Sequence, residues 1–161
     1  MNRLDRNLAW ALLCVLATAA MAWIAFGIQQ EGVAPAILFP LLVGCALGAI
    51  GVAVRRVMHA PSARVAIVAA LVWGLLAVIG QDYIGHWRHA RVLEEKLTAQ
   101  GPLGALAHAQ VDELTPAFSE YLVGVIRREP IWWTLDLGLT VLGAVAVTAW
   151  GVRRFPEPQT S

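Results

Sequence analysis

The sequence predicts an all-α integral membrane protein, a four-helix bundle with a helical extracytoplasmic loop between its third and fourth spans. Three observations predict it. Apolar stretches from Leu8 to Ile28, Pro35 to Val54, Val65 to Ile84 and Ile131 to Val152 each match the roughly 20 helical residues that cross a hydrocarbon core about 30 Å thick. The 161 residues are 58% hydrophobic and 14% charged, against about 25% charged in soluble domains. Seven basic residues fall at one set of span ends, Arg3, Arg6, Arg55, Arg56, Arg64, Arg153 and Arg154, against five on the other side, Arg88, Arg91, Lys96, Arg127 and Arg128.

The length suits one domain, residues 1–161. The near-neutral balance, +1 at pH 7, and the scattering of arginines in twos and threes exclude a nucleic-acid footprint. The lipid bilayer is the expected partner, with a membrane-protein partner or a second copy as further candidates. Cys14 and Cys45 fall within spans, where a thiol behaves as a small apolar group. No structural disulfide or redox compartment follows from them.

The first span reads as an uncleaved signal anchor. Arg3 and Arg6 precede it and small residues follow at Ala17–Ala20, but the apolar run continues through Trp23-Ile24-Ala25-Phe26, past the 7–15 residues of a cleavable signal. Short cytoplasmic loops collect Lys and Arg. The loop between the first two spans, Gln29-Gln30-Glu31-Gly32, has no basic residue, whereas the stretch from Arg55 to Arg64 has three. Both termini are therefore expected on the cytoplasmic side of the membrane. Indoles prefer headgroup depth. Trp10 and Trp150 are expected at the inner boundary and Trp23, Trp87, Trp132 and Trp133 at the outer one, with Trp73 packed between helices.

In the second span Gly44 and Gly48 form a small-x-x-x-small motif, continued by Gly51. Helices associate in lipid by close backbone approach, which glycine permits. This face is expected against another helix of the same chain, or against a second copy. Pro40, one turn in from the predicted start, should bend the span, because proline removes a backbone donor. In the fourth span Gly138 and Gly143 join the expected packing set. The same span carries Asp136. An intramembrane carboxylate normally faces the bundle interior or a wet cavity, so Asp136 is either a helix-entry residue satisfied by Thr134, water or an indole, or part of a polar site.

Asp82, His86 and His89 follow at i, i+4 and i+7, so they share one face if the third helix runs on past the bilayer. Carboxylate and imidazole are acceptable transition-metal ligands. The plain reading is a solvated interfacial face; the functional one is a metal- or proton-linked site with Asp136.

Between Trp87 and Glu129 the chain leaves the membrane. Helix formers continue to Ala99, Gly101-Pro102 interrupts them, and Leu103–Leu114 reads as a short helix. Thr115-Pro116 suits an N-cap and first turn. Phe118, Tyr121, Leu122, Val125 and Ile126 then make one apolar stripe, expected either on the bilayer surface or over the outer ends of the spans.

No nucleophile elbow, phosphate-binding glycine loop, dinucleotide fingerprint or zinc-hydrolase helix occurs, and the paired acids Glu94/Glu95 and Asp112/Glu113 point to different helix faces. No enzymatic activity and no cofactor are expected. Phe39-Pro40-Leu41-Leu42-Val43-Gly44 with Leu47-Gly48, followed by Gly80-Gln81-Asp82-Tyr83, resembles a pattern in small bacterial multi-span membrane proteins. The resemblance covers Pro35 to Tyr83. It implies the same architecture and carries no activity. The function expected is that of a non-enzymatic subunit or accessory protein acting through helix packing or its outer segment. The alternatives are the site at Asp82, His86, His89 and Asp136, and, lower, an oligomeric channel assembled through Gly44 and Gly48.

Overall fold

Five helices make up a computed structural model that describes residues 3–30, 38–58, 62–99 and 115–155: α1 (Arg3–Gln30), α2 (Leu38–Met58), α3 (Ala63–Ala99), α4 (Phe118–Arg128) and α5 (Pro130–Arg154). No strand occurs among the described residues. Four of them, α1, α2, α3 and α5, are long and apolar enough to cross a membrane, so the chain reads as a multi-pass membrane protein. The helix expected over Leu103–Leu114, and the Asp112/Glu113 pair, lie outside the described residues.

Side-chain size is distributed the opposite way from a water-soluble protein. One of the two core clusters is built of Ala25, Ala70, Ala77 and Ala144 with Val43 and Leu47; the other sets Trp10 and Trp73 among Cys14, Ala66 and Val152. Leu12, Leu16, Leu42, Leu71, Leu142 and Ile131 are exposed. In water such a surface would promote aggregation. Acyl chains solvate it, leaving backbone proximity to join the helices.

α2 and α5 pack most extensively, followed by α3 with α5 and α1 with α3. Gly44, Gly48, Gly143 and Gly151 make the α2–α5 approach possible. A Cβ on Gly48 would lie 2.6 Å from the Ala144 carbonyl oxygen, and one on Gly143 2.6 Å from that of Leu41. A Cβ on Gly44 would collide with the Thr140 carbonyl, and one on Gly151 would meet the Val52 methyls at 2.6 and 2.7 Å. The buried Thr140 hydroxyl completes the seam by donating to the Pro40 carbonyl at 3.2 Å.

Pro40 does not sit where a bend was expected. With α2 beginning at Leu38, proline falls in the first turn, where its missing N–H would have no intrahelical acceptor in any case. Its effect there is to mark the start of the helix.

The basic ends of α1, α2, α3 and α5 lie together. Trp10 Nε1 donates to the Gly51 carbonyl at 3.3 Å, and the Trp10 ring rests 4.6 Å from that of Trp73. Trp10 therefore belongs to the core, 3% exposed, and not to a lipid-facing belt. Trp23, Trp87, Trp132 and Trp150 are exposed. Arg55, also buried, donates to the Phe155 carbonyl at 3.4 Å just beyond α5, while Arg56 lies over the Phe155 ring at 4.1 Å. Cations at a helix C-terminus meet both free carbonyls and the negative end of the macrodipole.

At the opposite, acidic end, the 37 residues of α3 form a rod about 55 Å long, well beyond a hydrocarbon core of about 30 Å. α4 rests against this end, on α3 and α5. Its first residue is Phe118 and its N-cap is Ala117, without a side-chain cap. Thr115 is not the N-cap expected from sequence: the backbone N–H groups of Glu120 and Tyr121 bond the Ala117 carbonyl, and the helix starts two residues too late for Thr115 to cap it.

Candidate functional site

At the acidic end the helices leave a cleft of about 400 Å³, lined from α1 by Gln29, from α3 by Asp82 and from α4 by Val125; Glu129, Trp132, Trp133 and Asp136 complete it. Local structure explains this last group. Glu129 is at once the C-cap of α4 and the N-cap of α5 (φ −135°, ψ 57°), so one residue turns the chain between the two helices. Pro130 at the first position fixes φ for the new helix. Glu129, Trp132, Trp133 and Asp136 then recur at i, i+3, i+4 and i+7, one face of the opening turns of α5. That spacing is visible in the sequence, where the indoles read only as interfacial anchors.

Asp82 and Asp136 thus come from different helices to one cleft. Asp82 Oδ2 accepts from Trp133 Nε1 at 3.0 Å. Asp136 is not satisfied by Thr134, whose hydroxyl donates instead to the Pro130 carbonyl four residues back at 2.7 Å. Among the described residues, no hydrogen-bond or ion-pair partner reaches Asp136.

α3 is continuous through His89, yet Asp82, His86 and His89 do not converge into one ligand group. His86 Nε2 lies 2.9 Å from the Pro116 carbonyl. A carbonyl only accepts, which places the proton on Nε2. The imidazole is bracketed by Phe118 and Tyr121, with ring centroids 5.8 and 5.2 Å away, and Phe118 also meets Tyr83 at 5.3 Å. His89 is exposed. Among the described residues no three His, Cys, Asp or Glu side chains form a group able to hold a metal ion. The expected ligand set is therefore not assembled, because Asp82 is turned to α5 and His86 is held at the start of α4.

The stripe on α4 faces its neighbours: Phe118, Tyr121, Leu122, Val125 and Ile126 are all half-buried, while Ser119, Glu120, Val123 and Arg127 are exposed. Gly85 provides the clearance, since a Cβ there would sit 3.3 Å from the Tyr121 hydroxyl and 3.4 Å from the Phe26 ring. Burial pushes the Tyr121 phenol above its usual pKa; the Asp82 carboxylate adds to the rise and Arg128 opposes it.

The glycines divide. Gly44, Gly48 and Gly143 lie in the α2–α5 seam, and Gly51 faces Trp73, where a Cβ would meet the ring at 3.4 Å. Gly138 is outside the seam: it is exposed, with nothing within 4 Å of a Cβ. Five residues before Gly143, it points about 140° away around the helix. Because α5 of the same chain covers Gly44 and Gly48, that face is not open for the interchain contact on which the channel alternative relied.

Comparison with protein-family models, with curated proteins and with solved structures finds no match for this chain.

Proposed function

We propose that the chain is a non-enzymatic subunit or accessory protein of a bacterial inner membrane, a four-helix bundle with its acidic end outside and both termini cytoplasmic. The orientation rests on the arginines at the basic end and on the cost of translocating them. The observation that carries the accessory reading is α4. It is strongly amphipathic but buries no residue completely. One face is docked on α3 and α5, and the other is open around a shallow groove of about 380 Å³ containing Ser119, Glu120, Val123 and Arg127. A helix fixed on one side and displayed on the other suits contact with a second membrane protein. Mild detergent extraction of the full chain should recover a stoichiometric partner, and Val123→Glu should release it. Recovery as a lone monomer from native membranes would refute this reading.

A second reading is favoured by the convergence of Asp82 and Asp136: an outer-face site linked to protons or cations. His86 and His89 fall outside that cleft. Its test is whether Asp82→Asn and Asp136→Asn abolish saturable cation binding or proton uptake by the purified chain.

A further inference from the structure

We infer that the cleft at the acidic end binds an organic cation, an ammonium group carried on an apolar body. This deepens the second reading above and rests on it. The cleft's volume, about 400 Å³, lies within the range of small-molecule sites and exceeds what a bare ion needs. Its lining joins three carboxylates, Asp82, Glu129 and Asp136, to two indoles, Trp132 and Trp133, and none of the described residues that line it is cationic.

These features select a ligand class. Three acids with no base among the described lining residues present a negative site whose complement is positive charge. Of the three, Asp82 is already held by the Trp133 N–H, whereas Asp136 has no such partner among the described residues. An acid at membrane depth is stabilised chiefly by pairing, so Asp136 is the anchor. A metal ion would require ligands converging on one point, and no such group forms among the described residues. Indoles attract organic cations through their π faces and accept apolar substituents by contact. Carboxylates arranged around an aromatic-walled cleft therefore suit a bulky ammonium better than a compact metal ion. Trp132 is 52% exposed at the rim, giving an amphiphilic cation a route from the headgroup layer.

The probe is benzyltrimethylammonium, measured by equilibrium dialysis against the full-length chain in lipid nanodiscs, with zinc and proton uptake measured in parallel. We expect saturable binding of one probe per chain. Asp136→Asn should weaken it at least tenfold, and Asp136→Glu should retain it within threefold. Should Asp136→Asn fail to fold, Trp132→Ala changes only an exposed rim side chain and should weaken binding at least fivefold. Non-saturable uptake, or saturable binding indifferent to Asp136→Asn and Trp132→Ala, overturns the inference. Zinc binding or proton uptake that depends on Asp82 and Asp136, without probe binding, overturns the organic-cation inference and leaves the outer-face site standing. If all three measurements are blank, the site reading falls as well.

Discussion

Gly48→Ala adds one methyl group where α2 meets α5, and its cost can be worked from the seam. The new Cβ would lie 2.6 Å from the Ala144 carbonyl oxygen and 2.9 Å from Val147 Cβ. Ordinary van der Waals contact begins near 3.4 Å, so the shortfall is about 0.8 Å against an oxygen that cannot move without its helix. A gap of that size forfeits a quarter to a half of each contact well of about 0.1–0.2 kcal/mol. Over some tens of atom pairs along the seam the loss is about 1–2 kcal/mol. The Thr140–Pro40 bond, already 3.2 Å long, would stretch beyond hydrogen-bonding range, and interhelical bonds of this kind average about 0.6 kcal/mol. The overpacking total is about 2 kcal/mol, within the usual 1–3 kcal/mol; the helix propensity gained when alanine replaces glycine offsets up to about 1 kcal/mol of it, leaving a net cost of about 1 kcal/mol. Gly138→Ala is the matched control. It has the same chemistry on the same pair of helices, but nothing lies within 4 Å of its new methyl, and replacing an exposed helical glycine by alanine stabilises by up to about 1 kcal/mol. The assay is reversible unfolding in mixed micelles, followed by circular dichroism. Equal stability of the two variants, or Gly48→Ala the more stable, would refute the reasoning that backbone proximity holds α2 to α5.

Three more outcomes follow from the geometry. Removing the indole donor with Trp133→Phe should cost about 1 kcal/mol, and combining it with Asp82→Asn should cost clearly less than the sum of the single changes in a double-mutant cycle; strict additivity would mean that the 3.0 Å bond contributes nothing. In a chain lacking Cys14 and Cys45, a cysteine at the exposed Ser62 should react with an impermeant maleimide only after the cytoplasmic face is opened, and one at the exposed Ser119 should react in intact cells; the reverse pattern would invert the proposed orientation. The raised pKa of Tyr121 means that the folded state binds this proton more tightly than the unfolded one, so the associated stability is present below the ordinary tyrosine value of about 10 and is lost as pH rises above it. Tyr121→Phe should flatten that alkaline loss in thermal melts between pH 9 and 11, and unchanged slopes would show that the phenol is not responsible.

Hydropathy and length alone determined that four helices could cross a membrane, because the bilayer acts on every span through a local property: about 20 consecutive residues either dissolve in hydrocarbon or do not. The small-residue spacing of Gly44 and Gly48 was equally visible, since one helix face is fixed by a period of 3.6. Which helix covers that face was a tertiary matter: α5 supplied Gly143 and Ala144, while Gly138, of the same residue type, pointed elsewhere. Trp10 and Trp132 carry the same side chain at span ends, yet one is stacked on Trp73 in the core and the other is exposed at a cleft. The candidate site was half legible. Asp82 and Asp136 stand out singly as acids in or beside greasy segments, but their meeting depends on how α3 and α5 cross, and His86 was withdrawn from them by the Pro116 carbonyl, thirty residues further along the chain. Partition into lipid is a sum over neighbouring residues and can be read in one dimension. The choice of partner for a glycine face, an indole or a carboxylate depends on distances between segments, which only the packed helices decide.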